Sequence, residues 1–256
     1  MPTHAAHAAT FHRLHMAGRP LVLFNAWDAG SAKAIAAAGA PAIATGSWSV
    51  AAANGYPDGE KLPLELALGN LARIVGATGL PVTVDLESGY GEDADAVGRT
   101  VALAIAAGAV GVNLEDSFPA DGKLRPIAEQ AGRLAAARRA AETGGHDLFI
   151  NARTDVFFQK PADAHDQSMV AQALERASAF AAAGADGLFV PGLADEALIA
   201  ALVRQSPLPV NVMVGAGSPS NARLAQLGVA RISHGPGPYL AMMAQLQQAA
   251  RAAMAG

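Results

Sequence analysis

The stretch PVTVDLESGYGED, residues 81–93, begins as an apolar strand and ends in Asp85, Glu87, Glu92 and Asp93 around two glycines. A buried strand has no structural use for two carboxylates two residues apart. Side chains alternate along a strand, so Asp85 and Glu87 are expected on one side, facing the same space. Other apolar runs also end in acids. Glu115 and Asp116 close GVNLED (111–116), and Asp155 follows Arg153 in NARTD (151–155). Carboxylates gathered at one place repel unless they hold protons or enclose a cation. Oxygen donors without nearby His or Cys select Mg²⁺ or Mn²⁺ over zinc. Asp85, Glu87 and Glu115 are therefore the candidate metal ligands. Asp93 and Asp116 have a simpler use as helix caps.

The remaining polar residues suit a small anionic substrate. Arg153 is a natural clamp for a substrate carboxylate, because guanidinium binds carboxylates through two parallel bonds. The other reading is a structural pair with Glu115 or Asp155. TGSWS (45–49) places Thr45, Gly46, Ser47 and Trp48 after an apolar run, where backbone N–H groups could form an oxyanion hole. A tight strand-to-loop turn is the alternative. Asn211 and His234 close two later runs and are candidate substrate contacts, although a lone histidine is often just a satisfied polar group. Asp28, in WDAGSA, reads as an N-cap.

These residues need a scaffold that brings distant strand ends together. Short β-branched runs recur at 21–28, 42–47, 81–87, 111–116, 147–154, 187–192, 209–215 and 229–235, with Ala/Leu-rich helical patterns between them. Several of the helical patterns stop at glycine. Near-continuous apolar strands alternating with helices imply a parallel sheet covered on both faces. Eight such units point to an α/β fold, a (β/α)₈ barrel whose active site sits at the C-terminal strand ends. A doubly wound open sheet is the runner-up, weakened by the lack of a glycine-rich phosphate fingerprint after the first strand. Segment 4–18 is expected to form an extra helix closing the barrel floor. With no linker or composition break, residues 1–256 read as one domain.

Composition removes other classes of function. The chain has 256 residues, a formal net charge of -4, 52% hydrophobic residues and no cysteine. That length can bury a large core. The mild acidity offers no footprint for nucleic acid, and no Lys/Arg block suits an anionic membrane. Lack of cysteine rules out disulfides and thiolate chemistry and fits a reducing compartment. The N-terminus has no long apolar core, so no secretory signal is expected, and no run is long enough to span a membrane. A cytoplasmic enzyme is the expectation.

VDLESGYG, NLED, NARTD and NGYPD, in that combination, strongly resemble the isocitrate lyase/phosphoenolpyruvate mutase superfamily, over about residues 15–245. The resemblance implies a Mg²⁺-dependent barrel enzyme that acts on small 2-oxo acids through a metal-stabilised enolate of pyruvate type. It implies that Asp85 binds the metal, with Glu87 (where many members have Asp) and Glu115 supporting it through waters. Asp58, in GYPD, matches an acid near the reacting centre. Gly46, Ser47 and Trp48 match the turn that cups the substrate, and Arg153 the substrate-binding arginine. The family also implies a homo-oligomer, a tetramer or dimer, often with an exchanged C-terminal helix. Segment 239–254 has a Met/Leu-rich face suited to that exchange.

One departure narrows the chemistry. Isocitrate and methylisocitrate lyases carry a loop of the type K-[KR]-C-G-H, whose Cys is the catalytic acid. This chain has SFPADGKLRP (117–126) there, without Cys or His, which argues strongly against both activities. Phosphonate enzymes of the family use a Lys and an Asn in this gating loop, and here Lys123 and Arg125 stand without an Asn. The expected function is a Mg²⁺-dependent lyase or decarboxylase of oxaloacetate-like 2-oxo acids. P–C bond chemistry is the alternative, and a non-catalytic 2-oxo-acid-binding barrel the reading from another class.

Overall fold

A computed structural model describes residues 2–255. Eight parallel strands form one sheet: β1 (Leu21–Leu23), β2 (Ile43–Ala44), β3 (Val82–Asp85), β4 (Gly111–Glu115), β5 (Phe149–Arg153), β6 (Gly187–Val190), β7 (Val210–Met213) and β8 (Arg231–Ser233). Their order is β1-β8-β7-β6-β5-β4-β3-β2. The seam between β1 and β2 closes just past the strand ends, where the Ala26 N–H donates to the Ala44 carbonyl at 2.8 Å and Ala26 bridges to Thr45. The architecture is a TIM barrel. The helices are α1 (His4–Leu14), α2 (Ala29–Ala37), α3 (Ser47–Ala53), α4 (Leu64–Thr78), α5 (Ala94–Ala106), α6 (Ile127–Thr143), α7 (Gln167–Ala182), α8 (Glu196–Gln205), α9 (Asn221–Gln226) and α10 (Gly237–Ala255). Two begin at acids the sequence suggests: Asp28 caps α2 and Asp93 caps α5 through their side chains.

Strand alternation divides the apolar residues into two cores. Ile43, Val84, Val112, Ile150, Leu188 and Ile232 face outward into the large layer between sheet and helices. Leu21, Leu23, Ala44 and Phe149 face inward and form a separate cluster with Ala8 and Phe11 of α1. That helix therefore plugs the barrel floor, as the sequence suggests. Phe11 is fully buried, with its ring edge-on to Phe149 at 5.6 Å. Phe11→Ala is expected to cost about 3–5 kcal/mol of stability, because it opens a cavity that the rigid floor cannot collapse. Urea unfolding of the variant would measure this. A loss below about 1 kcal/mol would mean that α1 is not part of the core.

The strands are shorter than the apolar runs. The run 21–28 yields only Leu21–Leu23, and 42–47 only Ile43–Ala44. Past those points the chain leaves the ladder and turns into the barrel mouth. Asn25 secures this seam: its Nδ2 donates to the Thr45 carbonyl at 2.8 Å, and its Oδ1 accepts the N–H groups of His234 and Gly235. At the far end, α10 leaves Leu240, Met242, Leu246 and Met254 exposed. No helix among the described residues is long and apolar enough to cross a membrane.

Candidate active site

The middle and upper barrel interior is polar. Asn113, Asn151, Asn211, Arg231 and Ser233 are all buried inside it. Asn151 donates to Asn113 Oδ1 at 2.9 Å, Arg231 to the same oxygen at 3.2 Å, and Asn211 pairs with Ser233. Above this layer opens a cavity of about 190 Å³. Gly46, Ser47, Trp48, Asp58, Asp85 and Arg153 line it. Sequence reasoning placed each of these six at the site, and the fold brings them together from β2, β3, β5 and the loop before α4.

The three candidate metal ligands do not share that cavity. Only Asp85 lines it. Its Oδ2 accepts the Ser47 N–H at 3.1 Å, and the Asp85 N–H donates to Thr45 Oγ1 at 3.0 Å. The Ser47 N–H, expected in an oxyanion hole, is thus engaged by Asp85. Thr45 itself stands behind the wall, in a small side pocket with Glu87 and Tyr90. Glu87 shares that side pocket with Asp85 but does not reach the main cavity, because β3 ends at Asp85 and Glu87 takes a left-handed backbone with φ +52°. The Glu60 N–H reaches its Oε2 at 2.5 Å and the Tyr90 hydroxyl its Oε1 at 3.0 Å. Glu60 and Tyr90 also have positive φ, 59° and 50°. Three non-glycine residues in this sparsely allowed region, bonded to one another, mark a locally strained junction beside the cavity. It docks the loop that carries Asp58 onto the segment after β3.

Glu115 is held by Arg153. Nη1 of the arginine lies 2.7 Å from Glu115 Oε2, while Nε and Nη2 grip Asp155 at 2.6 and 3.0 Å. Ser117 Oγ donates to Asp155 at 2.6 Å. The structure thus shows the structural pair of Arg153 with both Glu115 and Asp155, and Arg153 also faces the cavity. Asp116 is no helix cap. It is fully buried, accepts the Asp155 N–H and pairs with Arg176 at 2.9 Å.

The charges are unbalanced. Burial, reinforced by Asp58 and Asp85, pushes Glu87 up to about 7. Burial also drives Glu115 up to about 8; Arg153 opposes this, and the charges of Asp155, Asp85 and Glu87 add to it. Burial and Asp85 hold Asp58 above the usual carboxylate range. Arg231, 1% exposed beneath the site, is pushed down to about 9 by desolvation, against the pull of Asp85. A cluster with this surplus of negative charge favours an added cation. Among the described residues no three carboxylates or imidazoles converge into a complete cage. All-oxygen donors that supply only part of a coordination shell fit an ion that keeps several waters, as Mg²⁺ does.

The remaining candidates lie elsewhere. His234 turns outward, its ring against Phe24 at 5.0 Å, in a separate surface cleft. Asn211 is buried below the cavity and bonded to Ser233. The side chain of Lys123 is 79% exposed and paired with Asp121, and Arg125 is buried over the Phe118 ring and bonded to Glu129. Neither loop cation lines the cavity. Sequence reasoning missed Phe158, Phe189, Pro191 and Met213 on its wall. Phe189 and Met213 had a signal, since each stands on a strand at inward parity. Phe158 lies in a short 3₁₀ turn after β5 and had none.

A family model described as phosphoenolpyruvate phosphomutase matches residues 11–254. An uncharacterized protein of Mycobacterium tuberculosis (strain ATCC 25618 / H37Rv) is 37% identical over 247 residues, covering 96% of this chain and 90% of its own. Oxaloacetate decarboxylase of Rhodopseudomonas palustris (strain BisA53) is 34% identical over 183 residues, covering 69% and 58%. The crystal structure of a presumed phosphonomutase from Burkholderia cenocepacia J2315 superposes with a TM-score of 0.95 at 59% identity, covering 99% of this chain and 100% of that one. Phosphonopyruvate hydrolase in complex with oxalate and Mg²⁺ gives a TM-score of 0.81 at 26% identity, covering 95% and 86%. The chain belongs to the isocitrate lyase/phosphoenolpyruvate mutase superfamily, a group that includes Mg²⁺-dependent lyases and mutases.

Proposed function

We propose that the protein is a Mg²⁺-dependent carbon–carbon lyase or decarboxylase acting on small 2-oxo carboxylic acids. One observation carries this reading: Asp58, Asp85 and Arg153 meet in a single cavity whose lining holds no other cation. Bond breaking next to a 2-oxo group needs charge stabilisation at the C2 oxygen and a proton acceptor or donor, and the cavity offers residues for both. Transfer of a phosphoryl group needs free cations, and Lys123 and Arg125 are engaged outside the cavity.

Asp85 is the carboxylate that would hold the divalent cation, with Glu87 and Glu115 behind it. When bound, the ion supplies Lewis-acid charge to the oxygen on C2. Arg153 has N–H groups left over from its acid partners and faces the cavity, where it orients the substrate carboxylate. Asp58 is the acid placed to move a proton. In retro-aldol cleavage it takes the proton of the C4 hydroxyl. The C3–C4 bond then breaks, its electron pair goes to C3, and C4 departs as a carbonyl compound. Return of the proton to C3 completes a 2-oxo acid. In decarboxylation the same bond breaks, the pair again stays on C3, and CO₂ leaves. Burial and Asp85 raise the affinity of Asp58 for a proton, which suits a group that accepts one and returns it.

The test is pyruvate release with Mg²⁺ from oxaloacetate, a 4-hydroxy-2-oxo acid and phosphonopyruvate in parallel, with Asp85→Ala as control. Metal-dependent turnover of either carbon substrate that vanishes in the control supports the reading. Turnover of phosphonopyruvate alone favours P–C chemistry, the second reading, which rests on the likeness to the presumed phosphonomutase. Because Lys123 stands outside the cavity, Lys123→Ala is expected to change turnover by less than about twofold, the scale of surface substitutions. A tenfold loss would place that loop in the chemistry.

A further inference from the structure

The cavity has two contrasting sectors, and Asn25, Ser233, Gly235 and Pro236 close the side between them. Its polar sector comes from β2 to β5 and the loop before α4: Gly46, Ser47, Asp58, Asp85, Asn113 and Arg153. Its other sector follows β5, β6 and β7 and is carbon-rich: Phe158, Phe189, Pro191 and Met213. The boundary runs through one rung of the sheet, where Arg153 pairs in register with Phe189. Its guanidinium sits 5.7 Å from the Phe158 ring and 6.0 Å from the Phe189 ring.

The apolar side chains are held by close packing. A Cβ at Gly192 would lie 2.9 Å from the Phe158 ring, so that ring rests on bare backbone. A Cβ at Gly235 would collide with Met213 Sδ, so Met213 lies over bare backbone as well. The wall is therefore a shaped surface in which glycine makes room for Phe158 and Met213. It contains no cation that could receive a second carboxylate or a phosphoryl group. Arg153 stands at the boundary, with three of its nitrogens already engaged by Glu115 and Asp155.

We infer that the substrate is a 2-oxo acid whose far end is an uncharged, carbon-rich tail lying against Phe158, Phe189 and Met213, and not a dicarboxylate. This rests on the 2-oxo-acid reading above and narrows it to the retro-aldol branch, because a substrate that loses CO₂ from C4 is itself a dicarboxylate. The polar sector takes the carboxylate and 2-oxo group. The tail displaces water from the carbon-rich wall, whereas a terminal carboxylate there loses hydration without gaining a partner. With a hydroxyl on C4, the cleavage described above releases the tail as an uncharged aldehyde or ketone.

Calorimetric binding in Mg²⁺ tests this with three probes: oxalate, which carries the head alone, and the chain-matched pair 2-oxopentanoate and 2-oxoglutarate. 2-Oxopentanoate is expected to bind about tenfold or more tighter than 2-oxoglutarate, the discrimination that an apolar pocket gives for about one methylene or more. Phe158 is half-exposed, so its substitution is tolerated by the fold. Phe158→Ala is expected to weaken 2-oxopentanoate several-fold and leave oxalate unchanged. Phe158→Arg is expected to reverse the preference. Equal or tighter binding of 2-oxoglutarate to the native protein, with oxalate bound, overturns the inference and leaves the head-group reading standing. Failure of oxalate to bind overturns both.

Discussion

Replacing Asp85 with alanine is expected to remove Mg²⁺-dependent stabilisation and to lower turnover by about 10²–10³-fold, the usual cost of deleting one preorganised charge-stabilising group. Asp85 is the one candidate ligand that lines the cavity, and its charge raises the pKa of both Asp58 and Glu87. In the native protein, Mg²⁺ at 100 times its dissociation constant adds about 2.7 kcal/mol. For a chain of this length that is a rise of about 5–10 °C in Tm. The variant should unfold at the same temperature with or without Mg²⁺, with an unchanged circular dichroism spectrum. A shift that survives in Asp85→Ala places the ion elsewhere.

The same shift depends on pH with a definite sign. Glu87 is raised from 4.5 to about 7 in the folded state. Between those values the folded chain binds a proton that the unfolded chain has lost. Its stabilising effect is present below pH 4.5 and is lost as pH rises through about 7. Metal-free protein should therefore lose stability from pH 5 to pH 8. A cation competes with that proton, so the Mg²⁺-induced rise in Tm should be larger at pH 8 than at pH 6. An equal rise at both values would mean that the ion does not feel the acid cluster.

The barrel was legible because its strands report their surroundings residue by residue. In VNLE of β4, Val112 and Leu114 face the helices, while Asn113 and Glu115 face the interior. The same alternation in β5 and β7 places Asn151, Arg153 and Asn211 inside. The order of eight such strands admits few other folds. Asp85 and Arg153 were legible at the site for the same reason, whereas Asp58, in a loop, was legible only through the family motif GYPD. Legibility stopped where the strands stop. Glu87 follows Asp85 by two residues, but its direction is set by the N–H of Glu60, 27 residues away, and by a left-handed backbone that no local pattern announces. His234 follows β8 and faces outward because Asn25 captures its N–H. Arg125 lies in the expected gating loop, yet it is drawn into the protein by Glu129 and Phe118. Each miss is a contact made by a residue in a loop, where alternation gives no information.

The second large effect concerns Arg153, whose two roles separate by pH. Arg153 is enclosed with Glu115 and Asp155 at 2.6–3.0 Å. Burial alone would lower its pKa, but the two acids outweigh burial and hold it above its ordinary value. Arg153→Met keeps an unbranched apolar stem and deletes the charge, leaving two acids confined without a counterion. Breaking such a buried pair costs about 3–5 kcal/mol. Glu115 escapes part of that cost by taking up a proton, because losing Arg153 removes the influence that draws it down. The folded pKa of Glu115, already about 8, then rises further, so the loss must be smallest at about pH 7 and below and grow as pH rises past about 8. Adding Glu115→Gln to the variant removes one of the stranded charges and should recover a good part of the stability at the alkaline end. Urea unfolding of the single and double variants on both sides of that value measures this. A loss independent of pH, without rescue, would mean that Arg153 stabilises the barrel through packing against Phe158 and Phe189. Arg153→Lys isolates the other role. It keeps the charge and most of the stability but cannot form two parallel bonds, so KM for the 2-oxo acid should rise about tenfold or more while the fold persists. A KM unchanged in Arg153→Lys would remove this residue from substrate binding and leave it as the counterion of Glu115 and Asp155.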